Sequence, residues 1–248
     1  MSEPFSPEPA PEPRPTFTHR IVALLEVLIC SDYPTQFAIG TTFTAFGYPP
    51  FVRRGELSFM FVVGVSTADT ILLVALVFAF LYAHGERPYD VFVGTRPLPV
   101  EVALGVPLTL VALGIAAAVL LTVQHVAPFL HSVEHNPLQR LLQSPRDAWL
   151  FGLVVIVAGG IREEIQRAFQ LHRFATWLGG GGIGVVVTSV AFGGGHLLQG
   201  ADAALATGLL GAFWGVVYLR RRSAVAPMVS HAGFNLLQIV QFLTTGKI

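Results

Sequence analysis

The stretch Ala148–Phe174 reads AWLFGLVVIVAGGIREEIQRAFQLHRF. At 1.5 Å per helical residue, about 20 residues cross the ~30 Å of hydrocarbon in a bilayer, so this run is long enough to span. Its charges are gathered near its end, in Arg162-Glu163-Glu164-Ile165-Gln166-Arg167. Ionised groups at that depth cost ~2.5–3.5 kcal/mol each on insertion scales, so neighbouring helices must shield them.

Six further apolar runs surround it: Ile21–Phe46, Ser58–Tyr82, Val100–Val123, Gly179–Gln199, Ala203–Leu219 and Ala224–Leu243. The expected fold is therefore an all-α, polytopic transmembrane helical bundle of about seven spans. The first run is interrupted by Ser31-Asp32-Tyr33-Pro34, where proline should kink or split it. Composition agrees: 53% of the 248 residues are hydrophobic and 12% charged, against roughly 25% charged in soluble domains. Mean hydropathy is +0.64. Fifteen basic residues balance fifteen acidic ones, which leaves no basic excess for nucleic acid. A soluble enzyme, a disordered chain and a nucleic-acid binder are excluded. Cys30 is the only cysteine, so neither an intrachain disulfide nor a cysteine metal cluster can form.

Three segments are expected. Residues 1–19 carry six prolines by position 15, interleaved with Glu3, Glu8 and Glu12, and read as a disordered tail rather than a signal peptide. Residues 20–147 form an N-terminal transmembrane half without a recognisable motif. Residues 148–248 form the half that carries the chemistry. With seven spans, Arg14, Arg20, Arg87, Arg96, Arg173 and Arg220–Arg222 fall on one side. Arg53, Arg54, Arg140, Arg146 and Lys247 fall on the other. The bias predicts a cytoplasmic N-terminus for an integral membrane protein of the cell inner membrane. Residues 137–147 are expected to form a short interfacial helix with Leu138, Leu141 and Leu142 on one side.

Polar residues inside spans are the informative ones, and they form three clusters. The first is Arg162–Arg167. Glu163 and Arg167 are four apart and Glu164 and Arg167 three apart, so one arginine can brace both carboxylates. The second is Phe192-Gly-Gly-Gly-His196. Its glycines serve either close helix packing or room for a substrate backbone. The third is His231-Ala-Gly-Phe-Asn235, whose two polar side chains point the same way. Taken singly, each has a plain structural reading: a wet helix end, a packed histidine, interhelical hydrogen bonds. Jointly, two carboxylates, two histidines and an amide are the parts needed to activate water and stabilise a tetrahedral intermediate.

In order, Glu163-Glu164-Ile165-Gln166-Arg167, Phe192-x-x-x-His196 and His231-x-x-x-Asn235 resemble the CAAX-protease and bacteriocin-processing (CPBP) family of intramembrane endopeptidases. That family includes the type II CAAX prenyl endopeptidases, also called the abortive-infection family. The resemblance covers about residues 148–241 and implies a catalytic pocket inside the bundle. It implies that Glu163 activates the attacking water, with His196 helping to hold it. It implies that His231 and Asn235 stabilise the oxyanion, that Glu164 and Arg167 support Glu163, and that Phe192 packs the histidine helix. The substrate implied is a membrane-anchored peptide or protein, lipidated or cut near its C-terminus. Ala168 stands where the family often has glycine.

Glu163, His196 and His231 would also make a two-histidine, one-carboxylate set for a catalytic zinc. His-Glu-x-x-His is absent, and Asn235 beside His231 suits an oxyanion better than zinc ligation, so a glutamate-activated water is favoured. A non-catalytic partner-binding or immunity protein on the same scaffold is the alternative; such a scaffold would be expected to have lost one of Glu163, His196, His231 or Asn235. A transporter would require repeat symmetry between halves, and none is found. Ser189 lacks the glycine-flanked context of rhomboid serines, and Asp32 and Asp69 lack the contexts of aspartyl intramembrane proteases. Glu26 and Asp32 are read as buried against polar neighbours, with lining the cavity as the other option. Asp69 is expected to bond locally to Thr67 or Thr70. His125, His131 and His135 are expected to be solvated in a loop.

Overall fold

The computed structural model describes residues 15–53, 56–133 and 137–245. Most of the tail, together with Arg54, His135 and Lys247, lies outside the described residues. Every expected apolar run is helical. The helices are α1 (Phe17–Ile29), α2 (Tyr33–Ala45), α3 (Phe59–Ala83), α4 (Pro88–Phe92) and α5 (Leu98–Val126) in the first half. They are α6 (Pro145–Val154), α7 (Glu163–Trp177), α8 (Gly181–Gly194), α9 (Ala201–Arg221) and α10 (Val225–Thr245) in the second. A two-stranded ribbon, β1 (Phe51–Arg53) with β2 (Glu56–Leu57), precedes α3.

Three helices, α3, α5 and α9, are long and apolar enough to cross a membrane; the pair α1–α2, bent by 41°, makes a fourth if it is one span. That falls short of the seven expected. The other runs are shorter or more polar, because they carry the glycines and charged residues of the motifs. Helix α8 has 14 residues, about 21 Å at 1.5 Å per residue, so His196 lies just beyond its end rather than within a span.

Proline does split the first run. Pro34 sits in the first turn of α2, and Asp32, in the break, has φ 72°. Helix α1 starts earlier than the composition suggested, because the Thr16 side chain accepts from the His19 N–H and caps it. Residues 137–147 do not form one interfacial helix; only their last three belong to an α-helix, α6. A 3₁₀ turn (Gln139–Leu141) leads into α6, and Leu141 and Leu142 are buried against Phe151 and Ile239 rather than lying on an interface.

The core is built on stripes of four-residue spacing. Asp69, Leu73, Val77 and Leu81 of α3 are all fully buried; three such steps stay on one helical face. The three apolar ones share a core with Phe169 and Leu171 of α7, Val185 of α8 and Tyr218 of α9. The outward faces stay apolar, as with Val106 and Leu110 of α5 and Val186 and Val190 of α8, which is what a lipid-facing surface requires. This is an integral membrane protein.

One structural feature shapes the site. Helices α6 and α7 are joined without a break by a π-helical segment, Val155–Arg162. π-Turns widen a helix and recur at functional sites. This one ends immediately before Glu163. A β-carbon on Gly160 would lie 2.6 Å from Ala232 Cβ and 2.7 Å from Ala232 Cα. Gly159 and Gly160 therefore let α10 lie directly on the π segment.

Candidate active site

Helix α7 presents two faces. Arg162, Gln166, Gln170 and Arg173 look toward α1. Gln166 and Gln170 each donate an amide N–H to the Cys30 carbonyl at 2.9 Å, satisfying a carbonyl that the end of α1 leaves free. Glu164 and Arg167 look the other way, into the bundle. They form an ion pair, as their spacing predicted.

Around that pair the structure gathers most of the expected residues. Arg167 lies over the Phe192 ring at 4.5 Å and near Trp214 at 5.6 Å, a cation–π setting that favours its charge inside the bundle. His231 stacks on Trp214 at 3.9 Å. Its Nδ1 lies 2.8 Å from Glu164 Oε1, and its Nε2 faces Glu163 Oε2 at 3.8 Å. A carboxylate on one ring nitrogen fixes both the ring and its tautomer, so Nδ1 carries the proton and Nε2 is turned to Glu163. Trp214 is held in turn by Ser230, which accepts its indole N–H at 3.0 Å.

Glu163 itself is loosely held. Its nearest partner is Arg162 at 3.5 Å, beyond the 2.7–3.2 Å of a good N–H···O bond. Its side chain is 14% exposed, against 1% for Glu164. The two adjacent carboxylates are thus unequal: Glu164 is buried with Arg167 and His231 both on its Oε1, while Glu163 is more exposed and has only distant partners.

His196 and Asn235 sit at the margins. His196 Nδ1 donates to the Phe192 carbonyl at 2.8 Å, which leaves Nε2 as the free acceptor. It joins the cluster through Phe192, whose ring meets His196 edge-on at 4.9 Å and His231 at 6.1 Å. Asn235 donates one amide N–H to the Val155 carbonyl, at the start of the π segment, at 3.1 Å. An amide has a second N–H to give.

Several expectations need correcting. Arg162 is not a wet helix end; it is buried and pairs with Asp32, while Asp69 Oδ2 lies 3.7 Å away. Arg167 braces Glu164 only; Arg162 is the neighbour of Glu163. Asp69 makes no bond to Thr67 or Thr70, which bond to the backbone of Val63 and Ser66 instead. His131 is exposed in a loop as expected and also pairs with Asp202 at 2.6 Å; His125 is exposed too, but belongs to α5 rather than to a loop. Among the glycines, Gly193 packs backbone to backbone, its would-be β-carbon 2.7 Å from the Ala204 carbonyl, whereas Gly194 lies under the Tyr33 hydroxyl at 3.1 Å. Among the described residues, no group of three or more His, Cys, Asp or Glu side chains is placed to hold a metal ion.

Reading the sequence missed Trp214 and the Gly159-Gly160 pair; it set Asp32 against a polar neighbour without identifying Arg162 as that neighbour. A glycine pair directly ahead of a charged cluster was itself a usable signal; nothing in the sequence marks Trp214.

Residues 145–237 match the family model described as type II CAAX prenyl endopeptidase Rce1-like. Over that stretch the chain is similar to the type II CAAX prenyl endopeptidases. The match spans the π segment, α7, α8, α9 and most of α10, so it takes in every residue of the cluster. No curated protein and no solved structure matches the chain.

Proposed function

We propose that this protein is an intramembrane endopeptidase of the type II CAAX kind, using Glu163 as the base. The observation that carries the reading is the inequality of the two glutamates. Glu164 is held by Arg167 and His231, and Glu163 is left half-buried with contacts of 3.5 and 3.8 Å. A water between Glu163 and the Nε2 of His231 or His196 gives up a proton to Glu163. Its oxygen adds to the scissile carbonyl carbon, and the resulting oxyanion takes the second Asn235 N–H. The C–N bond then breaks, and the proton held on Glu163 passes to the departing amine. Glu164 and Arg167 set the orientation of His231.

The substrate class is a membrane-anchored peptide cut near its C-terminus, with prenylated peptides as the first candidates because the matching family is named for them. The protein sits in the cell inner membrane. The end that gathers Arg87, Arg96, Arg173 and Arg220–Arg222 faces the cytoplasm with the N-terminus.

The test is cleavage of farnesylated and unmodified membrane-anchored peptides by purified protein in lipid nanodiscs, comparing wild type with Glu163→Gln and His196→Ala. Loss in both variants supports the assignment, and equal processing by wild type and variants overturns it. Stoichiometric zinc, with activity lost on chelation and restored by zinc, would replace the glutamate-only mechanism with a metal-assisted one.

A further inference from the structure

The break between α1 and α2 is fastened to two of the helices that carry the motifs, α7 and α8. The Cys30 carbonyl takes amide donors from Gln166 and Gln170. Tyr33 donates its hydroxyl to the Ala191 carbonyl of α8 at 2.7 Å. Between them, Asp32 takes the Nη1 of Arg162 on both carboxylate oxygens. Arg162 also donates to Gln166 Oε1 at 3.1 Å, and its Nη2 is the nearest group to Glu163.

Asp32 stands at φ 72°, where glycine would be at ease. The Asp32 side chain pairs with Arg162, beside Asp69, whose Oδ2 lies 3.7 Å from the same nitrogen. Resting on the reading of Glu163 as the base, we propose that Asp32 is a positioning residue. By anchoring one edge of the Arg162 guanidinium it stops Arg162 from closing onto Glu163 in a tight, two-pronged pair. Such a pair would fill the acceptor capacity that a water needs. The motif-free first half thus sets the geometry of the base.

Three variants in full-length protein separate this from a merely structural role. Asp32→Asn keeps the shape and removes the charge. Asp32→Gly relieves the backbone and removes the carboxylate. Asp32→Glu keeps the charge with a longer reach. On the peptide that wild type cleaves, kcat should fall by about 10- to 100-fold in Asp32→Asn and Asp32→Gly, a misplacement effect. KM should stay within about twofold, and Asp32→Glu should recover part of kcat. A wild-type kcat in Asp32→Gly overturns the proposal, since the turn alone would then explain the residue. A change confined to KM also overturns it.

A second measurement does not need turnover. Thermal midpoints of wild type, Asp32→Asn, Glu163→Gln and the double variant form a cycle. Coupling through Arg162 makes the two effects non-additive by about 2 °C or more, and strict additivity counts against the proposal. If wild type cleaves nothing, the base assignment fails on its own while the cycle still decides whether Asp32 acts on Glu163.

Discussion

The two ends of α7 use the same residue types to opposite effect. At its start, Arg162, Glu163, Glu164, Arg167 and His231 share two carboxylates unevenly. At its end, Arg173 donates to Glu26 and to Glu86, both at 2.5 Å. His84 completes Glu26 and His172 completes Glu86, both at 2.7 Å. There each carboxylate has an arginine on one oxygen and a histidine on the other. A network in which every carboxylate oxygen is paired acts as a clasp, here between α1, the end of α3 and α7. The network that leaves one carboxylate short of partners is the one that can do chemistry. Charge inside a bundle is therefore a weak sign of function; incomplete pairing is the sharper one.

Glu163→Gln is the strongest test of this contrast. It should lower kcat/KM by roughly 10³-fold, within the range for a lost general base. The thermal midpoint should move by less than about 2 °C, because little is bonded to that carboxylate. Arg173→Met should do the reverse. It strands Glu26 and Glu86 without their cation, and breaking a buried pair costs about 3–5 kcal/mol. A thermal melt in detergent should show the loss, while the activity per folded molecule is kept. If Arg173→Met removed activity and left the melt alone, the division into clasp and site would be wrong.

A smaller effect is expected where the helices meet. Gly160→Ala places a methyl against the Ala232 backbone, which cannot move aside as a side chain would. Overpacking there should cost about 1–3 kcal/mol and shift His231 and Asn235 away from Glu163, with a loss of activity to match. Gly182→Ala is the control: nothing lies within 4 Å of its would-be β-carbon, so it should be neutral or slightly stabilising.

Much of this could be read from the chain. Hydropathy runs located the helices, and the i,i+3 spacing of Glu164 and Arg167 paired them correctly. What escaped has a common cause. The Asp32–Arg162 pair joins residues 130 apart in sequence, and the Glu26–Arg173 pair residues 147 apart. Helical periodicity says which residues share a face but not which helix that face meets. The π segment escaped for a different reason: its residues, VIVAGGIR, have the same apolar pattern as an α-helix. Helix α8 was overestimated because the three glycines before His196 continue an apolar run while contributing little to helix stability.

The last prediction concerns the clasp alone and is the mildest. Glu86 lies in the loop after α3. Burial pushes its carboxyl up, but the hydrogen bonds from His172 and Arg173 outweigh that and hold it below its ordinary value of 4.5. A carboxyl held low in the folded protein binds its proton more readily when unfolded. Its contribution to stability is therefore complete above that ordinary value and is lost as pH falls through the lower, folded one. Melting midpoints measured from neutral pH downward should thus fall on the acid side, and Glu86→Gln should flatten that part of the curve. Glu163→Gln should not flatten it in this way if Glu163 is as loosely tied as its contacts indicate. An acid limb that survives Glu86→Gln unchanged would move the pH-sensitive element away from the clasp.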